Sequence, residues 1–268
     1  MPLAVDRVGE PGAPRAIAFL HGILGSGSNL RTVARRFVAA RPGWQAWLVD
    51  LRGHGRSPKG SAGASLEAAA GDVLGSVSVR LTAIAGHSFG GKVALELARQ
   101  AEQAWSLEHA VVIDSPPGVR RESGPGSAVA VVEVLGRLPA EHASRETFRG
   151  ALVGAGLPGP IADWLGQSLE RLPGGAVRFG LDLGEIRALL ESYFAADLWP
   201  IVERPPGRVA IHLVVGDRSP AWSPEERERA RELALRSPRV TLDVLPAGHW
   251  VHVDDPEGLL AVLLARLP

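Results

Sequence analysis

Short runs in which nearly every residue is apolar alternate along the chain with longer stretches whose apolar residues recur every three or four positions. Ala16-Ile17-Ala18-Phe19-Leu20 is the first such run and predicts a buried strand. The spacing then predicts a helix over 28–40, with Leu30, Val33, Ala34, Phe37 and Val38 on one face. A strand is expected over 44–51, a helix over 65–74 opened by Ser65, and a strand over 81–85. A helix over 90–103 and a strand over 110–113 follow. Strands that are apolar throughout and separated by helices predict a parallel sheet covered on both faces.

Residues 116–205 break that rhythm. They are rich in Gly and Pro, and their apolar residues fall in helical spacing around 129–138 and 186–194, with no strand apparent. The alternation then resumes with a strand over 208–215, a charged surface helix over 224–235, a strand over 240–245 and a helix over 256–267. The organisation read from this is an α/β core formed by 1–115 and 206–268. A helical lid (cap) insertion, 116–205, interrupts it.

Composition narrows the function classes. Lys+Arg and Asp+Glu both number 29, so no surplus of basic charge is available to neutralise nucleic-acid phosphates. There is no Cys, which removes disulfides, a thiol nucleophile and Cys-ligated metals. Residues 1–7 lack the basic-then-apolar pattern of a signal peptide, and no apolar run approaches the roughly 20 residues that span a bilayer. The expectation is a cytoplasmic protein with neither nucleic acid nor membrane as partner.

Candidate chemistry gathers at a few places. Gly86-His87-Ser88-Phe89-Gly90-Gly91 follows a strand and opens a helix. A serine there sits on a sharp turn at a helix N-terminus, and Cβ atoms at 86 and 90 would strike neighbouring backbone. A serine hydroxyl is a poor nucleophile until a base takes its proton. His249, in Pro246-Ala247-Gly248-His249-Trp250 after the last strand, is the candidate base, with His252 a weaker one. His54 and His87 read as structural. An acid must orient the imidazole. Asp114 and Asp217 both end strands and both lie between Ser88 and His249, so position alone leaves the two open. Asp50 also ends a strand but precedes Ser88, and with Arg52 it reads as the organiser of the Arg52-Gly53-His54-Gly55 loop.

Together these pieces resemble the α/β-hydrolase superfamily across essentially the whole chain. Within it they are most similar to the small esterases of the abhydrolase domain-containing protein 11 and YbfF type. The resemblance is carried by Leu20-His21-Gly22-Ile23-Leu24-Gly25-Ser26, by Asp50-Leu51-Arg52-Gly53-His54-Gly55-Arg56-Ser57-Pro58 and by Gly86 to Lys92. Ile113-Asp114-Ser115-Pro116 and Ala247-Gly248-His249-Trp250-Val251-His252 complete it. It implies an α/β-hydrolase fold, a mostly parallel sheet flanked by helices, and an oxyanion hole made by the backbone N–H groups of Ile23 and Phe89. It also implies Asp114 as the acid. The commoner acid position in this fold lies two residues past Asp217, and there this chain has Ser219. The side chain of His21 is expected only to tie loops together.

The resulting expectation is a serine hydrolase of small carboxylic esters, with a small-molecule ester as partner, no metal or organic cofactor, and a monomeric or homodimeric state. Leu24, Trp164, Tyr193, Phe194, Trp199 and Trp250 are the candidates for lining the substrate pocket, and Phe179 is another aromatic of the insertion. Two alternatives remain open. The same triad could serve C–C bond or lactone hydrolysis or cofactor-free perhydrolysis. An idle hydrolase fold could act as a receptor or scaffold. Gly25-x-Gly27 lacks the rest of a dinucleotide fingerprint, and no phosphate loop or His-Glu-x-x-His is present.

Overall fold

The computed structural model describes residues 2–60, 63–101, 107–120 and 127–268. Its centre is a seven-stranded sheet. In chain order the first elements are β1 (Val5–Gly9), β2 (Arg15–Leu20), α1 (Arg31–Ala40), β3 (Trp44–Val49), α2 (Leu66–Ser76), β4 (Ala83–His87), α3 (Phe89–Gln100) and β5 (His109–Ile113). The stretch between β5 and the next long strand, expected above to be an insertion, carries α4 (Ala128–Arg137), β6 (Glu141–His142), α5 (Arg145–Gly154), α6 (Gly159–Leu165), β7 (Leu169–Arg171), β8 (Val177–Phe179), α7 (Leu183–Ala195) and α8 (Trp199–Glu203). The chain closes with β9 (Ala210–Gly216), α9 (Pro224–Arg236), β10 (Val240–Leu245), α10 (Val251–Asp254) and α11 (Pro256–Arg266).

The strand order is β1-β3-β2-β4-β5-β9-β10. Every neighbouring pair is parallel except β1–β3. Alternate side chains of each strand feed two separate cores. Ile17, Phe19, Ala85, Val111 and Ile113 pack with α1 and α11 on one face. Ala18, Leu20, Ile84, Val112 and Leu213 pack with α2, α3 and the inserted helices on the other. Burial on both faces is why the central strands read as unbroken apolar runs. Because β4, β5, β9 and β10 point the same way, the turns leaving their C-terminal ends meet along one edge of the sheet, the usual place for a ligand in an open α/β sheet.

Three features depart from the sequence-based expectation. β1 was not predicted: it is an edge strand in which Asp6 and Arg7 stand together between Val5 and Val8, too polar to read as an apolar run. β4 is displaced to Ala83–His87 from the expected 81–85, since its ladder with β2 begins at Ala83. The insertion, expected to hold no strand, contains a three-stranded antiparallel sheet in the order β6-β8-β7. Strands of two or three residues carry no readable period. The helix expected to reach Gln103 is described to Gln100, and its last two expected residues lie outside the described residues.

Elsewhere the local rules hold. Ser65 accepts from the N–H of Ala68 at 3.2 Å and caps α2. Ser223 and Glu226 form a capping box on α9, with Pro224 in its first turn. In the insertion α4 packs on α7, which in turn packs on α2 and α3. Ile186, Leu189 and Leu190 thereby join the core beneath them. No helix among the described residues is long and apolar enough to cross a membrane.

Candidate active site

Among the described residues, the non-glycine positions with positive φ are Leu24, Ser88 and Asp114, at +63°, +52° and +45°. Such backbone is strained for these residues and persists only where the surroundings enforce it. All three lie at the C-terminal edge of the sheet. Ser88 sits between β4 and α3, and the turn is possible only because its flanks are bare. A Cβ on Gly86 would collide with the Gly90 carbonyl, and one on Gly90 with the carbonyls of Leu20 and His21. The turn presents Ser88 at the start of α3 and leaves the N–H of Phe89, the first helical residue, among the donors that a helix cannot satisfy internally.

The structure brings Ser88, His249 and Asp114 into one hydrogen-bonded chain. Ser88 Oγ–H donates to His249 Nε2 at 3.1 Å. His249 Nδ1–H donates to Asp114 Oδ2 at 2.6 Å. Asp114 is fully buried at the end of β5. Its carboxylate is fixed from two further sides: the N–H of Gly216 donates to Oδ1 at 3.0 Å, and Ser219 Oγ–H donates to Oδ2. A carboxylate so placed selects the His249 tautomer whose Nε2 faces Ser88 as an acceptor. Asp217 lies elsewhere. It is about half exposed and pairs with Arg218 at 3.2 Å.

Ser219 is a partner of Asp114 that sequence reasoning misses. Its signal was present, since the residue stands where an acid is commoner and its hydroxyl reaches the carboxylate supplied by the neighbouring strand. His87, read from the sequence as structural, also serves this site. Its Nε2–H donates to the carbonyl of His249 at 2.8 Å, which fixes the loop that carries the imidazole.

The loop after β2 is held by two further imidazoles. The N–H of Leu51 donates to His21 Nε2 at 2.9 Å, and the N–H of Leu24 donates to His54 Nε2 at 3.1 Å. Both rings donate their other N–H to a carbonyl, of Gly22 and Arg52 respectively. They act as neutral struts that set the backbone around Ile23. Asp50 accepts from the N–H groups of Gly27 and Arg56 and ties the same loops together. Burial lowers the pKa of His21 to about 4 and of His54 to about 3, the second with help from repulsion by His21. Burial likewise pulls His87 well below its ordinary value, with His252 adding to the effect, and takes His252 itself to about 4.

A cavity of about 1000 Å³ opens in front of Ser88. Ile23, Leu24, Phe89 and Trp250 line it from the core, and Val131, Trp164, Leu190, Tyr193 and Phe194 from the insertion. The rings of Trp164 and Trp250, one from each part, lie 5.8 Å apart. Trp199 is not among the lining residues. It is buried beside an adjoining cavity, and Phe179 packs on Phe148. Lys92, fully buried on α3, donates to the carbonyls of Gly118, Tyr193 and Ala196 at 2.7 to 2.8 Å, which fastens both ends of the insertion to the core. Burial draws its pKa down to about 7, and the charge of Arg120 acts in the same direction. Among the described residues no group of three or more His, Asp or Glu is arranged to hold a metal.

The chain is similar to known proteins along nearly its whole length. A family model described as the alpha/beta hydrolase family matches residues 17–262. The chain is 30% identical to the sn-1-specific diacylglycerol lipase ABHD11 of Mus musculus, over all of this chain and 85% of that protein. It is 26% identical to the esterase YbfF of Escherichia coli (strain K12), over 92% of this chain and 91% of that one. A marine microorganism esterase of known structure superposes with a TM-score of 0.83 at 24% identity, over 99% of each chain. These esterase and lipase relatives support hydrolase activity for this chain.

Proposed function

The chain belongs to the alpha/beta hydrolase family, and we propose that it is a serine hydrolase that cleaves small carboxylic esters through an acyl-enzyme. The observation that carries this reading is the unbroken chain from Ser88 Oγ through His249 to the buried carboxylate of Asp114, at the wall of a mostly apolar cavity.

In this mechanism His249 Nε2 accepts the Ser88 proton as Oγ attacks the ester carbonyl. Asp114 holds the ring and stabilises the imidazolium that forms. The tetrahedral oxyanion is met by the backbone N–H groups of Ile23 and Phe89, with the positive end of α3 behind the second. The imidazolium then protonates the leaving alcohol, and the acyl group remains on Ser88. A water deprotonated by His249 releases the acid and restores the hydroxyl. Residues 116–205 act as a lid whose apolar side chains receive the acyl chain.

Hydrolysis of a 4-nitrophenyl ester series from acetate to dodecanoate tests the reading. Steady turnover on short to medium chains is expected, with Ser88→Ala slower by on the order of 10⁶-fold. Rates equal in the two proteins on every ester would contradict it.

A further inference from the structure

Arg120 stands where the core passes into the insertion, just beyond Pro116-Pro117-Gly118. Its backbone N–H donates to the carbonyl of Phe194 at 3.0 Å, which fixes its position against the end of α7. The residue is partly buried and lines the cavity in front of Ser88. It also lines the adjoining cavity of about 500 Å³, and Pro220 and Ala221 are shared with it as parts of the wall between the two.

The neighbouring cations are accounted for. Lys92 is saturated by three carbonyls. Arg229 pairs with Glu203 at 2.5 Å and covers the Trp199 ring. Arg145 is exposed and reaches the Asp163 carbonyl. Asp197 and Glu226 line the smaller cavity with Arg120, but among the described residues no ion pair or side-chain hydrogen bond joins its guanidinium to any group.

Arg120 is partly buried, and its guanidinium is hydrogen-bonded to neither carboxylate, so it carries a desolvation cost that a directly bound anion would offset. Its planar fork matches a carboxylate at two points, and one positive charge balances a monoanion better than a doubly charged phosphate. We propose that Arg120 receives a carboxylate carried by the substrate, so that the preferred substrates are esters bearing a free carboxylate, such as half-esters of dicarboxylic acids. The ester group lies at Ser88 and the carboxylate at Arg120. This rests on the ester-hydrolase reading above and narrows its substrate class.

Binding measured without turnover tests it. In the Ser88→Ala protein, monomethyl and dimethyl esters of the diacids from succinate to sebacate are titrated by calorimetry. At the best chain length the half-ester is expected to bind at least roughly tenfold tighter than the neutral diester, the scale of a charge-assisted hydrogen-bonded pair. Arg120→Leu and Arg120→Gln, each checked for an unchanged melting temperature, should bring the two ligands within about twofold, and Arg120→Lys should keep part of the difference. Equal affinities at every chain length, no detectable binding of either ligand, or a preference that survives both neutral variants would overturn the proposal. An intact half-ester preference in a protein that hydrolyses no ester would strike the catalytic reading instead.

Discussion

Asp114→Asn lowers kcat on an activated ester by about four orders of magnitude, whereas Asp217→Asn changes it by less than about threefold. The expected contrast follows from where the two carboxylates stand. Asp114 is fully buried, 2.6 Å from His249 Nδ1, with Gly216 and Ser219 donating to its oxygens. An amide there removes the charge that stabilises the imidazolium and can turn its NH₂ toward the ring, which selects the wrong tautomer. Asp217 is a strand-end residue too, but its carboxylate faces solvent and Arg218. An exposed pair of this kind contributes little, and among the described residues no hydrogen bond or ion pair joins Asp217 to His249. Steady-state kinetics of both variants on 4-nitrophenyl acetate, with melting curves to verify folding, decides the matter. A near-inactive Asp217→Asn beside an active Asp114→Asn would overturn the assignment.

Acid is expected to destabilise this fold steeply between about pH 6.5 and 4. Burial holds His21, His212 and His252 at about 4 and His54 at about 3, against about 6.5 in an unfolded chain. Lowered folded-state values mean that the unfolded chain binds protons the native protein refuses. The stability these groups contribute is therefore complete above pH 6.5 and is lost as the pH falls toward 4. At pH 5 each such group costs about 2 kcal/mol, and the set costs on the order of 5 to 10 kcal/mol, comparable with the whole stability of an ordinary domain. His87, lowered in the same way, adds to the effect. Asp6 and Asp182, whose carboxylates are lowered by Arg56 and Lys59, act mostly below this window. Calorimetric scans should show the melting temperature falling by at least about 15 °C from pH 7 to pH 5. A melting temperature flat across that interval would mean that these imidazoles are not buried as described.

The legible parts of this protein are those where one physical requirement dominates. Ala16–Leu20 and Ala110–Ile113 are legible because central strands of a sheet covered on both faces tolerate few polar side chains. Ser88 was legible because a strained turn excludes Cβ atoms at Gly86 and Gly90, and few other requirements produce that spacing. The arrangement around the acid was harder. Two Asp residues end adjacent parallel strands, and their sequence positions do not say which side chain turns inward. That is set by the positive φ of Asp114 and by the Ser219 hydroxyl beside it. Local strain and side-chain contacts over a hundred residues apart leave no mark in periodicity. Trp199 shows the converse error. Its place in the insertion suggested the main cavity, but its ring is buried beside the smaller one, stacked with Arg229. The short strands β6 to β8 were invisible for want of length.

In the proposed mechanism Ser88 is a nucleophile activated by His249. The most direct test of this is intact-mass analysis after exposure to a fluorophosphonate, followed by peptide mapping. One adduct is expected, on Ser88, absent from Ser88→Ala and formed far more slowly in His249→Gln. A protein left unlabelled, or labelled equally in the Ser88→Ala variant, would contradict it.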